Sequence, residues 1–211
     1  MQKSEVADTL WKGYAMTRTV IFDTETTGLP KLRRISALDK KDNWPDLVSI
    51  CWRTFEDGVE TGKHYHLIKP MGWTIGSEAA GIHGITTEMA EQGDDLREVL
   101  TLFREDISKA DTIVAHNLDF DKNVMLHAFL WRLNEPIVFW PDRADFCTAE
   151  VTKSILKLPS KYPRPGDIYK MPSLNELYEY IFHEAAPPND HSAERDVDVL
   201  QRIYWALPKL R

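Results

Sequence analysis

Asp23 and Glu25 stand two residues apart at the end of a β-branched and aromatic run, Thr19-Val-Ile-Phe22, and a Thr-Thr-Gly turn follows them. Side chains alternate along a strand, so the two carboxylates share a face. Like charges on one face at the end of a buried strand repel each other and resist desolvation, and a hard divalent cation with oxygen ligands relieves both costs. More acids lie further on. In His116-Asn-Leu-Asp-Phe-Asp121, which follows the apolar run Thr112-Ile-Val-Ala115, either Asp119 or Asp121 can point into a cleft, and an aspartate there also serves as a helix cap. Near the C-terminus, His191 and Asp196 flank Ser192. With Ser192 as N-cap, Asp196 lies one turn inside a helix and His191 just outside it. A carboxylate fixed on a helix beside an imidazole on its lead-in suits a metal ligand paired with a proton acceptor.

These groups need elements to carry them. Thr19–Phe22 reads as a buried strand. Leu47–Phe55 and Lys63–Ile68 read as two more, joined across Glu56-Asp57-Gly58, a hairpin signal. Leu96, Val99, Leu100, Phe103 and Ile107 form one apolar stripe at helical spacing, with Asp94 or Asp95 as cap, and Thr86 caps a shorter helix. Thr112–Ala115 and Pro136–Trp140 read as short strands, and a helical run to about Arg132 lies between them. Phe146–Leu156 reads as helix, and a proline-rich basic loop follows to Pro172. Ser173-Leu-Asn-Glu176 is a capping box opening a helix, and the last helix starts near Ser192 and ends near Leu207-Pro208. Three strands followed by alternating helices and strands mean an α/β fold, a mixed sheet covered by helices.

Composition sets bounds. At 211 residues, 43% hydrophobic and 28% charged, one domain with an ample core is the expectation, residues 18–211, preceded by an N-terminal extension, 1–17. That extension mixes charges with Leu10 and Trp11 and lacks the apolar stretch of a signal peptide. No run approaches the roughly 20 apolar residues that span a bilayer, so no membrane partner is expected. Cys51 and Cys147 form neither a disulfide framework nor a metal spacing, which points to a reducing, cytoplasmic setting. The net charge of −7 argues against sequence-independent coating of nucleic acid. It leaves room for an acidic site whose charge is offset by bound metal.

Taken together, the order is Asp-x-Glu on a strand, Asp at a later helix start, and His-x4-Asp on the last helix. In Phe22-Asp-Thr-Glu-Thr-Thr-Gly28, His116-Asn-x-x-Phe-Asp121 and His191-Ser-Ala-Glu-Arg-Asp196 the chain resembles the DEDDh family of 3′–5′ exonucleases, which includes the proofreading epsilon subunit of bacterial DNA polymerase III. Ile82-His-Gly-Ile-Thr86 and Ser173-Leu-Asn-Glu-Leu177 extend the resemblance from about Thr17 to the C-terminus. It implies a ribonuclease-H-like fold, a mixed five-stranded sheet flanked by helices, with Asp23, Glu25, Asp121 and Asp196 as ligands of two Mg²⁺ or Mn²⁺ ions. The family's Phe-Asp position selects Asp121 over Asp119, and His191 marks the branch that uses histidine as general base. Such ions, about 3.5–4 Å apart, clamp the scissile phosphate, while His191 takes a proton from the attacking water.

The resemblance also makes Thr24, Thr26, Thr27 and Leu29 candidates to meet the terminal nucleotide, and His83 and Ile85 candidates for the wall that stacks on its base. His116 and Asn117 either hold phosphate or cap the helix. The basic loops, Lys31–Lys41 and Lys153–Lys170, either track a single strand or are solvated faces. The expected substrate is nucleic acid with a free 3′ end, DNA ahead of RNA and single strands ahead of duplex. Two alternatives stand beside it: an exoribonuclease that trims RNA ends, and a proofreading subunit whose main role is docking on a DNA polymerase.

Overall fold

The computed structural model describes residues 17–32, 34–135, 140–141, 144–188 and 191–207. The expected extension 1–17 therefore lies outside the described residues except for Thr17. β1 (Arg18–Thr26) is buried along most of its length, and its branched and aromatic residues place it at the centre of a five-stranded sheet of order β3-β2-β1-β4-β5. β2 (Leu47–Glu56) and β3 (Val59–Leu67) run antiparallel to their neighbours. β4 (Thr112–Ala115) and β5 (Ala144–Cys147) continue the sheet in parallel on the other side. β1 thus has one antiparallel and one parallel neighbour, and the carboxyl ends of the parallel pair β1 and β4 lie side by side, where ligand clefts of α/β sheets form.

Alternation on β1 divides the core. Val20 and Phe22 face Val99, Leu100, Phe103 and Ile107 of α3 (Leu96–Lys109), while Ile21 on the other face packs with Val197 and Leu200 of the last helix. All five residues of the α3 stripe are buried, and Asp95 caps the helix by accepting from the N–H groups of Arg97 and Glu98. Each such side chain buried contributes roughly 1.5–3 kcal/mol, so α3 is held by this stripe. α1 (Ser77–His83), unassigned from the sequence, precedes α2 (Thr87–Ala90), which Thr86 caps as expected. After β4 comes α4 (Leu118–His127), prolonged by a π-helical turn, Ala128–Arg132.

Three expectations are corrected. β3 begins at Val59 rather than Lys63, because Asp57 and Gly58, both at positive φ, close a tight turn of the kind that lets pairing resume at once; Glu56 pairs with Val59. The fifth strand is Ala144–Cys147, taking Phe146 and Cys147 from the expected helix, because these residues find register on Val114 and Ala115. α5 (Thr148–Leu156) starts only after it. Of the strand expected at Pro136–Trp140, residues 136–139 lie outside the described residues. Finally, the expected basic loop holds a small hairpin, β6 (Pro159–Arg164) and β7 (Asp167–Tyr169). Gly166 closes it at φ 79°, a conformation that suits glycine. α6 (Leu174–Phe182) opens on the Ser173–Glu176 capping box, and α7 (Ala193–Ala206) on Ser192, as anticipated. Among the described residues no helix is long and apolar enough to cross a membrane.

Candidate active site

The two faces of β1 also divide the site. Ile21 lies under α7, so the next residues on its face, Asp23 and Glu25, meet the first turn of that helix. Carboxylate oxygens of Asp23, Glu25 and Asp196 lie within 4.8 Å of one another. Asp196 sits one turn after the Ser192 cap, and its N–H donates to the Ser192 carbonyl at 3.0 Å. The positive end of a helix dipole favours an acid there. Thr24, on the opposite face, reaches α4: its N–H and hydroxyl both donate to Oδ1 of Asp121, at 3.1 and 2.7 Å. Asp121 is buried, whereas Asp119 is exposed and accepts from Asn123 on its own helix. Asp121 therefore turns toward β1 and Asp119 does not. Between Glu25 and Thr26 the pairing with β2 slips register, an irregularity of a kind that recurs beside active sites.

Such crowding has an electrostatic consequence. Burial, then the charges of Asp121, Asp196 and Glu25, push the Asp23 carboxyl well above the ordinary range. Burial also raises Asp121, to about 7, against the hydrogen bonds from Thr24 and with the help of Asp196. One cation answers part of this charge: Nη1 of Arg195 donates to Oδ1 of Asp196 at 2.7 Å, and Nη2 holds Oδ1 of Asn175 on α6, also at 2.7 Å. Four carboxylates against one guanidinium leave a formal charge of −3 when all are ionised. An all-oxygen donor set with surplus negative charge fits a hard divalent cation.

The three candidate histidines have different surroundings. His83 is buried beneath the turn, with Nε2 3.3 Å from the Thr26 carbonyl and Nδ1 accepting from the Ile85 N–H. His116 has Nε2 2.9 Å from the Pro172 carbonyl and Nδ1 2.9 Å from the Thr148 hydroxyl. Burial lowers the pKa of both rings, so both are neutral ties between segments, each donating from Nε2 to a carbonyl. His191 alone of the three is exposed, and it lines a cavity of about 540 Å³ with Asp23 and Asp196. Asn117 lines the same cavity, makes no side-chain cap, and, like His191, adopts a left-handed backbone conformation. Such a conformation is uncommon outside glycine and clusters at functional sites.

The turn itself is built by its threonines. Besides Thr24, the Thr26 hydroxyl donates to the Gly28 carbonyl at 2.8 Å, and the Thr27 hydroxyl accepts from the Asp46 N–H at 3.0 Å. Leu29 is 72% exposed. It forms, with Ile82 and Phe120, the apolar part of a second cavity that also contains Glu25 and His83. Ile85, expected in the wall, instead packs inward with Val48 and Ala90, because the end of α1 turns Ile82 outward in its place. Ile82, Phe120 and Arg195 stand within the quoted motifs but were given no role from the sequence; membership of those motifs was the signal that could have found them.

A family model described as Exonuclease (RNase_T) matches residues 20–204. DNA polymerase III subunit epsilon of Escherichia coli is 26% identical over 193 residues, which is 92% of this chain and 72% of that protein. A PolC-type DNA polymerase III from Mycoplasmopsis pulmonis is 25% identical over 185 residues, 88% of this chain and 11% of that protein. Among solved structures, E. coli Exonuclease I in complex with a dT13 oligonucleotide superposes with a TM-score of 0.68 at 17% identity, covering 92% of this chain and 41% of that one. Exonuclease X in complex with 5′ overhanging duplex DNA gives 0.56 at 19%, covering 90% and 92%. The chain therefore spans about a tenth of the PolC-type polymerase and two-fifths of Exonuclease I. These structures share its ribonuclease-H-like mixed sheet.

Proposed function

This chain belongs to the exonuclease family, and on that premise we propose that it removes nucleotides one at a time from the 3′ end of DNA, with single-stranded ends preferred. The observation that carries the reading is the meeting of Asp23 and Glu25 from the central strand with Asp196 from the last helix, in a cavity that His191 also lines. Asp23, Glu25 and Asp196, with Asp121 behind them, would hold divalent cations, two Mg²⁺ or Mn²⁺ ions. When bound, such ions supply charge stabilisation to a phosphodiester undergoing hydrolysis and lower the pKa of water.

The chain's own residues do the rest. Thr24 fixes the orientation of Asp121 through two hydrogen bonds, and Arg195 does the same for Asp196. His191, exposed at the cavity, accepts a proton from the attacking water, a role that suits an imidazole near neutral pH. The water oxygen bonds to phosphorus as the bond from phosphorus to the 3′ oxygen breaks; that oxygen takes a proton from solvent, and a 5′-mononucleotide leaves. Leu29, Ile82 and Phe120 offer an apolar surface to the terminal base, and Asn117 stands where the phosphate would enter. His83 and His116 hold the walls. The resemblance to polymerase subunits supports DNA as the substrate, and it supports docking on a polymerase as a second reading; copurification with a polymerase tests that.

The experiment is degradation of end-labelled single-stranded DNA, duplex DNA and RNA with Mg²⁺, with Mn²⁺ and with chelator. A ladder that shortens from the 3′ end, releases mononucleotides and stops with chelator is the expected result. Internal cuts, shortening from the 5′ end, or activity undiminished by chelator would refute the reading. Faster loss of RNA than DNA would move the assignment to RNA trimming.

A further inference from the structure

The β6–β7 hairpin has no role in the site described so far. Residues 157–170 carry Lys157, Lys161, Arg164 and Lys170 against one acid, Asp167, in a chain whose net charge is −7. That acid is answered from outside the hairpin by Lys153 on α5, at 2.5 Å, and Lys170 is taken by Glu176. Lys157, Lys161 and Arg164 are exposed and make no ion pair among the described residues. Tyr162 is 75% exposed beside Lys161, whose Nζ lies 5.6 Å from the ring centre. Unpaired cations interleaved with an exposed aromatic ring suit a strand of phosphates and bases.

Its placement points the same way. The hairpin packs chiefly on itself, and an isolated two-stranded ribbon is marginal. Its base is fastened at several points: the Lys153–Asp167 pair, a Lys170 N–H bond to the Leu158 carbonyl at 2.9 Å, and the His116 ring on Pro172. His116 also lines the cavity of Asp23 and Asp196, as do Lys170 and Met171. Arg164 and Met171 then border a groove shared with Leu29, Asn117 and Phe120. The hairpin therefore rises from the wall of the acidic cavity and flanks a groove that runs on to the apolar cavity at the turn.

We propose that this hairpin is an arm that grips the nucleic-acid strand 5′ of the bond to be cut, holding its phosphates with Lys161 and Arg164 and stacking a base on Tyr162. This rests on the exonuclease reading for the direction of the strand. The arm offsets, outside the cavity, the repulsion that an acidic protein exerts on a polyanion.

Equilibrium binding separates the two claims, because it requires no cleavage. A fluorescent single-stranded oligonucleotide of about 12 nucleotides is titrated with native protein, with Lys161→Glu/Arg164→Glu and with Tyr162→Ala, in chelator and at several salt concentrations. Charge reversal is expected to weaken binding by about tenfold and to flatten the salt dependence by about 1.4 log units per log unit, two contacts at roughly 0.7 each. Tyr162→Ala is expected to weaken it about fivefold with the salt dependence unchanged. A dinucleotide, too short to reach the arm, is expected to bind all three proteins alike. Native-like binding of the longer strand by the charge-reversed protein, with an unshifted melting temperature, would overturn the arm. Arm-dependent binding by a protein that cleaves nothing would uphold the arm and overturn the nuclease reading instead.

Discussion

Two groups of buried charge lie on either side of the Thr-Thr-Gly turn, and they are built on opposite terms. On one side Asp46 accepts from Nε and Nη2 of Arg132, with Nε2 of His127 3.8 Å away. Burial alone would raise its pKa, yet the His127 ring and the Arg132 guanidinium hold its carboxyl below the ordinary range. On the other side, burial and mutual repulsion raise Asp23 and Asp121. Asp46 touches the turn through paired backbone and hydroxyl bonds to Thr27, and Asp121 touches the strand that leads into it through Thr24. The first group balances its charge from within and so serves the fold. The second is left negative, a surplus that protons or a cation would relieve, and the proposed metal site rests on that imbalance.

The contrast can be broken most sharply at Asp23. Asp23→Asn is expected to lower the rate of DNA cleavage by about a thousandfold or more while raising the melting temperature of metal-free protein, since it removes repulsion. A variant that cleaves within tenfold of native would dissolve the distinction. Next in size is Asp46→Ala, which leaves Arg132 and His127 without their acid. Urea unfolding is expected to show a loss of about 2–4 kcal/mol, and a loss under about 0.5 kcal/mol, the scale of an ordinary surface change, would demote Asp46 to that class.

The two groups should also respond to pH with opposite signs. Burial raises the folded pKa of Asp121 to about 7, far above the ordinary aspartate range, so the native state binds its proton more tightly than the unfolded state. The stability this contributes is present in acid and is lost as pH rises from about 4 to about 7. For Asp46, whose folded pKa is lowered, the contribution is present above the unfolded value and is lost as pH falls below about 4. Melting curves in chelator should therefore decline toward neutral pH. Asp121→Asn should flatten that decline, and saturating Mg²⁺ should reverse it by binding the folded state. A chelated native protein whose stability rises from pH 5 to 7 would contradict the sign.

The smallest expected effect is at Arg195, the single guanidinium in the acidic group. Arg195→Ala frees Asp196 from its tie to Asn175 and is expected to reduce kcat by about three- to tenfold with little change in KM. Calorimetry should show tighter binding of the cation, because a positive charge beside the site is gone. Weaker cation binding in that variant would mean that the guanidinium orders the ligands more than it repels the ion.

Much of this arrangement was legible in order of residues alone. Alternation put Asp23 and Glu25 on one face, and cap chemistry at Ser192 put Asp196 in a first helical turn, because both depend on local backbone geometry. The α3 stripe and the Ser173 capping box were legible for the same reason. The fifth strand was not, since Ala144–Cys147 is a strand only because Val114 and Ala115 offer it a register. Nor was the hairpin, which draws its order from Lys153 and His116 on other elements. Residue order determined which side chains could serve as ligands, caps and core. Only the folded chain decided that Asp121 rather than Asp119 turns inward, that His83 and His116 spend both ring nitrogens on neighbours, that Ile82 replaces Ile85 at the cavity, and that Asp46 has its own cation in Arg132. Each of those outcomes depends on contacts between segments far apart in the chain, and local propensity carries no record of them.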